Sequence, residues 1–209
     1  MRYLVSGVAA VLILCATFYA GFRSGERRVA LQTPTGGEGD AARVIPVATN
    51  LESISREDYD ALMARDLTFP LEGIKASDIR DTFNEGRASG KRHEATDIMA
   101  PRGTPIHAVQ DGTIRKLFLS KAGGNTIYEF DPEGVYCFYY AHLDRYADGL
   151  HEGMQVKKGD VIGYVGSTGD ASPDAPHLHF AIVKLGPDKK WWQGAAINPY
   201  PILVQLAQR

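Results

Sequence analysis

Thr126-Ile-Tyr-Glu-Phe130, Asp131-Pro-Glu-Gly134 and Val135-Tyr-Cys-Phe-Tyr-Tyr-Ala-His142 follow one another without a break. Two runs rich in Ile, Val, Tyr and Phe flank a turn built from Asp, Pro and Gly. That is the pattern of a β-hairpin. The texture extends outward on both sides. Pro105–Val109, Thr113–Ser120, Val161–Val165 and His177–Val183 are further short apolar runs. Asp111-Gly112, Gly123-Gly124, Lys158-Gly159-Asp160 and Gly169-Asp170 punctuate them. Short strands with regular turn signals predict a mainly β fold, an antiparallel β-sandwich or barrel-like domain. No helical pattern is long enough for βαβ units, which argues against a doubly wound sheet.

Upstream the chain reads differently. Ser55-Arg-Glu-Asp58 resembles a capping box, with Tyr59, Leu62 and Met63 at helical spacing behind it. The expectation is a short helix ending before Pro70, within a helical stem over 45–80 that packs on the main domain. Residues 29–44 include Thr33-Pro-Thr-Gly-Gly-Glu-Gly-Asp40 and read as a flexible linker. Residues 1–28 hold an uncharged stretch, Tyr3 to Phe22, between Arg2 and Arg23. About 20 apolar residues suffice to span a bilayer. The segment is expected to be a membrane anchor, with a cleaved signal as the alternative. Phe18 and Leu14 make poor residues three before a cut, and Leu14 spoils a lipobox at Cys15. Arg23, Arg27 and Arg28 behind the span leave its orientation ambiguous by flanking charge.

Composition removes other classes. The 209 residues carry 23 Lys+Arg against 25 Asp+Glu, a formal charge of −2. A nucleic-acid binder normally shows a basic excess, so no nucleic-acid partner is expected. Two cysteines exclude a disulfide scaffold and a Cys-rich zinc finger. Cys137, alone outside the uncharged stretch, is expected to be a buried thiol facing away from His142.

The placement of the six histidines carries the chemistry. On a strand, residues two apart share a face. His177 and His179 therefore point one way with Ala181 and Val183, while Leu178, Phe180 and Ile182 point into the core. By the same alternation Phe138, Tyr140 and His142 share a face. His93 and Asp97 share a face in either a helical turn or a strand. A catalytic zinc has three protein ligands and an open position. His93, Asp97 and one histidine of the 177/179 pair would supply them. His107 and His151 are expected to face solvent. His93-Glu94-x-x-Asp97 also approaches the His-Glu-x-x-His helix in which Glu is the base. Asp97 in the second position, with Gly90 and Pro101 nearby, argues against that reading.

His93-x-x-x-Asp97, Tyr140-Ala-His142-Leu143 and His177-Leu-His179, in this order, resemble the lysostaphin-type (LytM-like) zinc metallopeptidases. Ala100-Pro-Arg-Gly-Thr-Pro105, Gly159-Asp-Val-Ile-Gly163 and Gly166-Ser-Thr-Gly169 add to the likeness, which runs from about Asp81 to Pro201. The resemblance implies a peptidase domain over 81–205. It implies one zinc ion on His93, Asp97 and His179, with His142 and His177 as catalytic histidines and Tyr140 helping to hold the oxyanion. The substrate it implies is bacterial peptidoglycan, whose peptide cross-links lie in the cell envelope beyond the cytoplasmic membrane. The N-terminal segment would then tether the peptidase to that membrane from the periplasmic side. Members lacking these residues activate other wall hydrolases, so wall-enzyme partners are a second possibility. A carrier role through the Val156-Lys-Lys-Gly-Asp160 turn has only the lysine in its favour. Trp191-Trp192 is expected to pack at a rim, with a substrate groove as the alternative. The loop 169–176, with Asp170 and Asp174, is expected to rim the cleft.

Overall fold

A computed structural model describes residues 54–87, 90 and 92–209. The uncharged stretch, the linker and the first part of the stem lie outside the described residues. Among the described residues no helix is long and apolar enough to cross a membrane.

The first element is α1, Arg56–Met63. Ser55 caps it by accepting the Asp58 N–H on Oγ at 3.0 Å, which satisfies one of the open donors of the first turn. Leu62 is fully buried. Behind it, Asp58 accepts from Tyr136 Oη at 3.0 Å and Lys184 Nζ at 2.8 Å, and Arg65 pairs with Asp131 at 3.0 Å. Ile54, Leu62, Leu67, Leu71 and Ile79 enter the same apolar cluster as the strands.

The strands are β1 Thr96–Met99, β2 Pro105–His107, β3 Gly112–Ser120, β4 Gly124–Phe130, β5 Tyr136–Tyr146, β6 Gln155–Val156, β7 Val161–Val165, β8 His177–Leu185 and β9 Gly194–Ile197. The fold is mainly antiparallel β. The central path runs β1-β8-β5-β4-β3-β6, with β2 on β7, β7 on β5 and β9 on β8. The long strand β5 organises it. Its first half, Tyr136–Ala141, pairs with β8, and its second half, Leu143–Tyr146, pairs with β7. The predicted β4–β5 hairpin is present: Asp131 accepts the Gly134 N–H on its carbonyl and the Val135 and Tyr136 N–H groups on Oδ1.

Alternation holds on β8, where Leu178, Phe180 and Ile182 are buried in the core. Across β5 they oppose Tyr140 and Phe138, whereas His179 opposes Ala141 and Ala181 opposes Tyr139. One sheet face therefore carries the core and the other carries His177, His179, Tyr139 and Asp97, which opposes His179 across β1. The chain closes with α2, Tyr200–Leu206, a helix not foreseen from the sequence. Asn198 Oδ1 accepts the Tyr200 N–H, and its Nδ2 donates to Asp81. The run Tyr-Pro-Ile-Leu-Val-Gln-Leu is too short and too uniformly apolar to show a helical period.

Glu129 of β4 is fully buried. Tyr140 Oη donates to its Oε2 at 2.6 Å, and its Oε1 has no partner. Burial pushes this carboxyl up to about 8, against the pull of the Tyr140 bond and with Asp111 and Asp131 adding to the rise. The folded protein thus keeps a proton that the unfolded chain releases near 4.5. The stability this contributes is complete below that pH and is lost as pH rises toward 8. Glu129→Gln keeps an acceptor for Tyr140 and removes the titration. Urea midpoints should fall between about pH 5 and 8 in the parent and lose that component of the slope in the variant. Equal slopes would mean that Glu129 is ionised in the fold.

Candidate active site

His93 precedes β1, Asp97 lies within it and His179 lies opposite on β8. Their ligating atoms meet at one point. His93 Nε2 and His179 Nδ1 are each 3.0 Å from Asp97 Oδ1, and 2.9 Å from each other. Zinc with bonds of about 2.1 Å and tetrahedral angles needs donor atoms roughly 3.4 Å apart. Three donors at 2.9–3.0 Å fit after a small outward shift. This is the one group of three His, Cys, Asp or Glu ligands among the described residues that could hold a metal ion.

The protonation states suit that use. Burial lowers His179 to about 4 although Asp97 pulls it up, so its imidazole is neutral at pH 7. Burial alone would raise Asp97, but its contacts with the His179 and His93 imidazoles outweigh it and hold the carboxyl well below the usual range. His93 Nδ1 donates to the Thr82 carbonyl at 3.0 Å, which leaves Nε2 bare. Thr82 Oγ1 also accepts the Asp97 N–H at 3.2 Å. Asp81, the neighbour of Thr82, is held by Asn198 ahead of α2. The far end of the chain thus sets the orientation of the first ligand.

His142 and His177 stand beside this point. Their ring centroids are 4.9 Å apart, and His142 is 5.4 Å from His179. His177 Nε2 is 3.8 Å from Asp97 Oδ1. Each ring is fixed through Nδ1: His142 donates to the Thr168 carbonyl and His177 to the Ala175 carbonyl, both at 2.8 Å. Each Nε2 is therefore an acceptor. Burial lowers the His142 pKa, the Thr168 bond opposes this and His177 reinforces it.

The expectation that Tyr140 shares a face with His142 is corrected by the structure. Four residues of β5, Tyr140 to Leu143, span the same length as three on β4, Ile127 to Asn125. The extra residue is a bulge, and His142 takes a φ of 61°. That turn swings its imidazole to the sheet face opposite Tyr140. Tyr140 is fully buried in the core, donating to Glu129 and accepting the Val109 N–H. It lies away from the site. The tyrosine on the site face is its neighbour Tyr139, edge-on to His179 with centroids 5.9 Å apart. Cys137 is buried, but on the same sheet face as the site histidines, opposite Val183. The bulge reverses both expectations, and no signal in Tyr-Tyr-Ala-His announces it.

The bulge is held by a second turn. The Gly123 carbonyl accepts the His142 N–H at 2.8 Å, and Thr168 Oγ1 donates to the Leu143 carbonyl at 2.7 Å. The two turns touch backbone to backbone. Gly169 has a φ of 80°, and a Cβ there would meet the Ala122 carbonyl and Gly124 N. Gly169→Ala is expected to destabilise the protein by about 1–3 kcal/mol through strain and clash. It should also displace the Thr168 carbonyl from His142. A urea midpoint unchanged from the parent would refute the close approach.

Glu94 is no helical general base. Thr96–Met99 is a strand, and Glu94 is exposed with a φ of 56°. His151 is exposed, as expected. His107 is instead half-buried, with Nδ1 bonded to the Gly159 carbonyl at 2.8 Å. Trp191 and Trp192 line a groove beside His93 and His179, and Trp191 also packs against Tyr128 and Phe118.

Three ligand atoms at one point, flanked by two imidazoles, could hold a single metal ion. Residues 91–199 match peptidase family M23, and the chain belongs to that family. It is 34% identical over 142 residues to the L-Ala--D-Glu endopeptidase of Bacillus subtilis (strain 168), covering 65% of this chain and 42% of that protein. The solved structure of LytU is 32% identical, with a TM-score of 0.53, over 66% of this chain and 93% of that one. The structure of the antimicrobial peptidase lysostaphin from Staphylococcus simulans is 27% identical with a TM-score of 0.53. It covers 68% of this chain and 54% of that one. The matched part of the chain spans less than half the length of the curated relatives.

Proposed function

We propose that this protein is a zinc metalloendopeptidase that hydrolyses peptide cross-links of bacterial peptidoglycan. The observation that carries the reading is the convergence of His93 Nε2, Asp97 Oδ1 and His179 Nδ1 within 3.0 Å of one another, beside the imidazoles of His142 and His177. Zinc bound there supplies a water of lowered pKa and a Lewis acid for the scissile carbonyl. His142 and His177 do the proton work. Their Nδ1–H groups are committed to carbonyls, so each Nε2 is free to accept a proton from the attacking water or return one to the leaving amine. Imidazole suits both tasks at neutral pH. The rings stand 4.9 Å apart on the same side of the metal point, so base and acid are roles of the pair.

The relatives support the substrate class, among them a peptidoglycan DD-endopeptidase of Vibrio cholerae. Peptidoglycan lies outside the cytoplasmic membrane, so the peptidase works on that side. Residues Tyr3 to Phe22 are proposed to anchor it there. The test is digestion of purified peptidoglycan by the zinc-loaded protein, with products read by mass spectrometry. New muropeptides with freed amine and carboxyl ends are expected. Zinc binding without any change in muropeptides would favour an activator of another wall hydrolase.

A further inference from the structure

A groove of about 310 Å³ runs from His93 and His179 along β8. Its floor is made of small side chains, Ala181, Val183 and Ala196. One wall is a line of aromatic rings. Tyr139 lies edge-on to His179, Tyr128 is 4.7 Å from Tyr139, and Trp191 is edge-on to Tyr128 at 4.8 Å. Trp192 continues the line at 5.2 Å and is 63% exposed. The rings lead from a metal ligand to solvent.

One carboxylate, Glu94, lines the same groove. Its φ of 56° is a left-handed conformation that is uncommon for non-glycine residues and recurs at functional sites. Its backbone N–H donates to the Phe83 carbonyl, but among the described residues its carboxylate has no ion pair or hydrogen bond. Arg87, Lys184 and Lys190 are paired with other carboxylates, Asp97, Asp58 and Asp188.

Aromatic faces attract a cation through their quadrupole, and a carboxylate adds a full opposite charge. An apolar floor accepts a methylene stem. We infer that this groove seats an alkylammonium group of the substrate, a primary amine on a methylene chain such as the free ω-amino group of a diamino-acid residue, and that Glu94 selects for it. The inference rests on the peptidase reading and adds a substrate requirement to it: a free amine beside the bond that is cut.

The test separates the two. Titration of the full-length protein with n-butylammonium chloride at constant ionic strength, followed by tryptophan fluorescence, needs no turnover. A saturable change is expected, weakened about tenfold or more in Glu94→Gln. Glu94→Asp keeps the charge on a residue that tolerates left-handed backbone, and should recover part of the affinity. On a cross-linked peptide with a free side-chain amine, Glu94→Gln should raise KM about tenfold while kcat holds. N-acetylation of that amine should raise the parent's KM equally and have no further effect on Glu94→Gln. Absence of n-butylammonium binding to the parent, or equal binding by parent and Glu94→Gln, overturns the inference. A parent that binds n-butylammonium yet cuts no wall peptide overturns the peptidase reading instead.

Discussion

Asp97→Ala should leave the protein without its metal and lower peptidoglycan hydrolysis by about 10⁴-fold or more. Asp97 Oδ1 is the atom on which His93 Nε2 and His179 Nδ1 converge, at 3.0 Å each. It is also the anionic member of the set, held ionised by those two histidines against the cost of burial. Without it, two imidazoles face each other across 2.9 Å with no carboxylate to balance a dication. Zinc content, measured by elemental analysis after dialysis, should fall from about one ion per chain to a small fraction. The backbone should survive, because Asp97 sits in a strand whose ladder to β8 does not depend on its side chain. A variant that keeps one zinc and most of its activity would refute the assignment of the ligand.

His142→Ala should separate chemistry from metal binding. It should lower kcat by about 10²–10⁴-fold, the range for losing a positioned acid or base, while zinc content stays at the parent's level. The residue does not ligate, yet its ring lies 4.9 Å from His177 and 5.4 Å from His179. Because His142 has a φ of 61°, alanine adds backbone strain of its own. His142→Asn is the control, since Asn tolerates that conformation. Both variants should lose activity alike. Retention of more than about a tenth of the parent's kcat by His142→Asn would remove the imidazole from proton handling.

The strands were legible because turn residues bound nearly all of them. Val161–Val165 was bounded to the residue, and β3, β4 and β5 to within a few. Three elements escaped. β6 is two residues long, β9 is Gly-Ala-Ala-Ile with little β propensity, and α2 has no period to read. The spacing of His93 and Asp97 fits helix and strand alike, so the sequence does not decide Thr96–Met99. Its pairing with β8 settled the matter, bringing Asp97 opposite His179.

Side-chain type, order and strand alternation were enough to single out His93, Asp97, His142, His177 and His179 as one constellation. They could not decide which face His142 uses. That depends on one extra residue in β5, and an extra residue is visible only against the partner strand that lacks it. Tyr140 and Tyr139 exchanged places for the same reason: periodicity carries a side chain's face forward only while the ladder is unbroken. The tautomers of His93, His142 and His177 were equally hidden, since each rests on a backbone carbonyl of another segment. The groove beside the metal point joins His93 and Glu94 ahead of β1 with β4, β5, β8, β9 and the loop before β9, residues far apart in the chain that only the folded sheet brings to one wall.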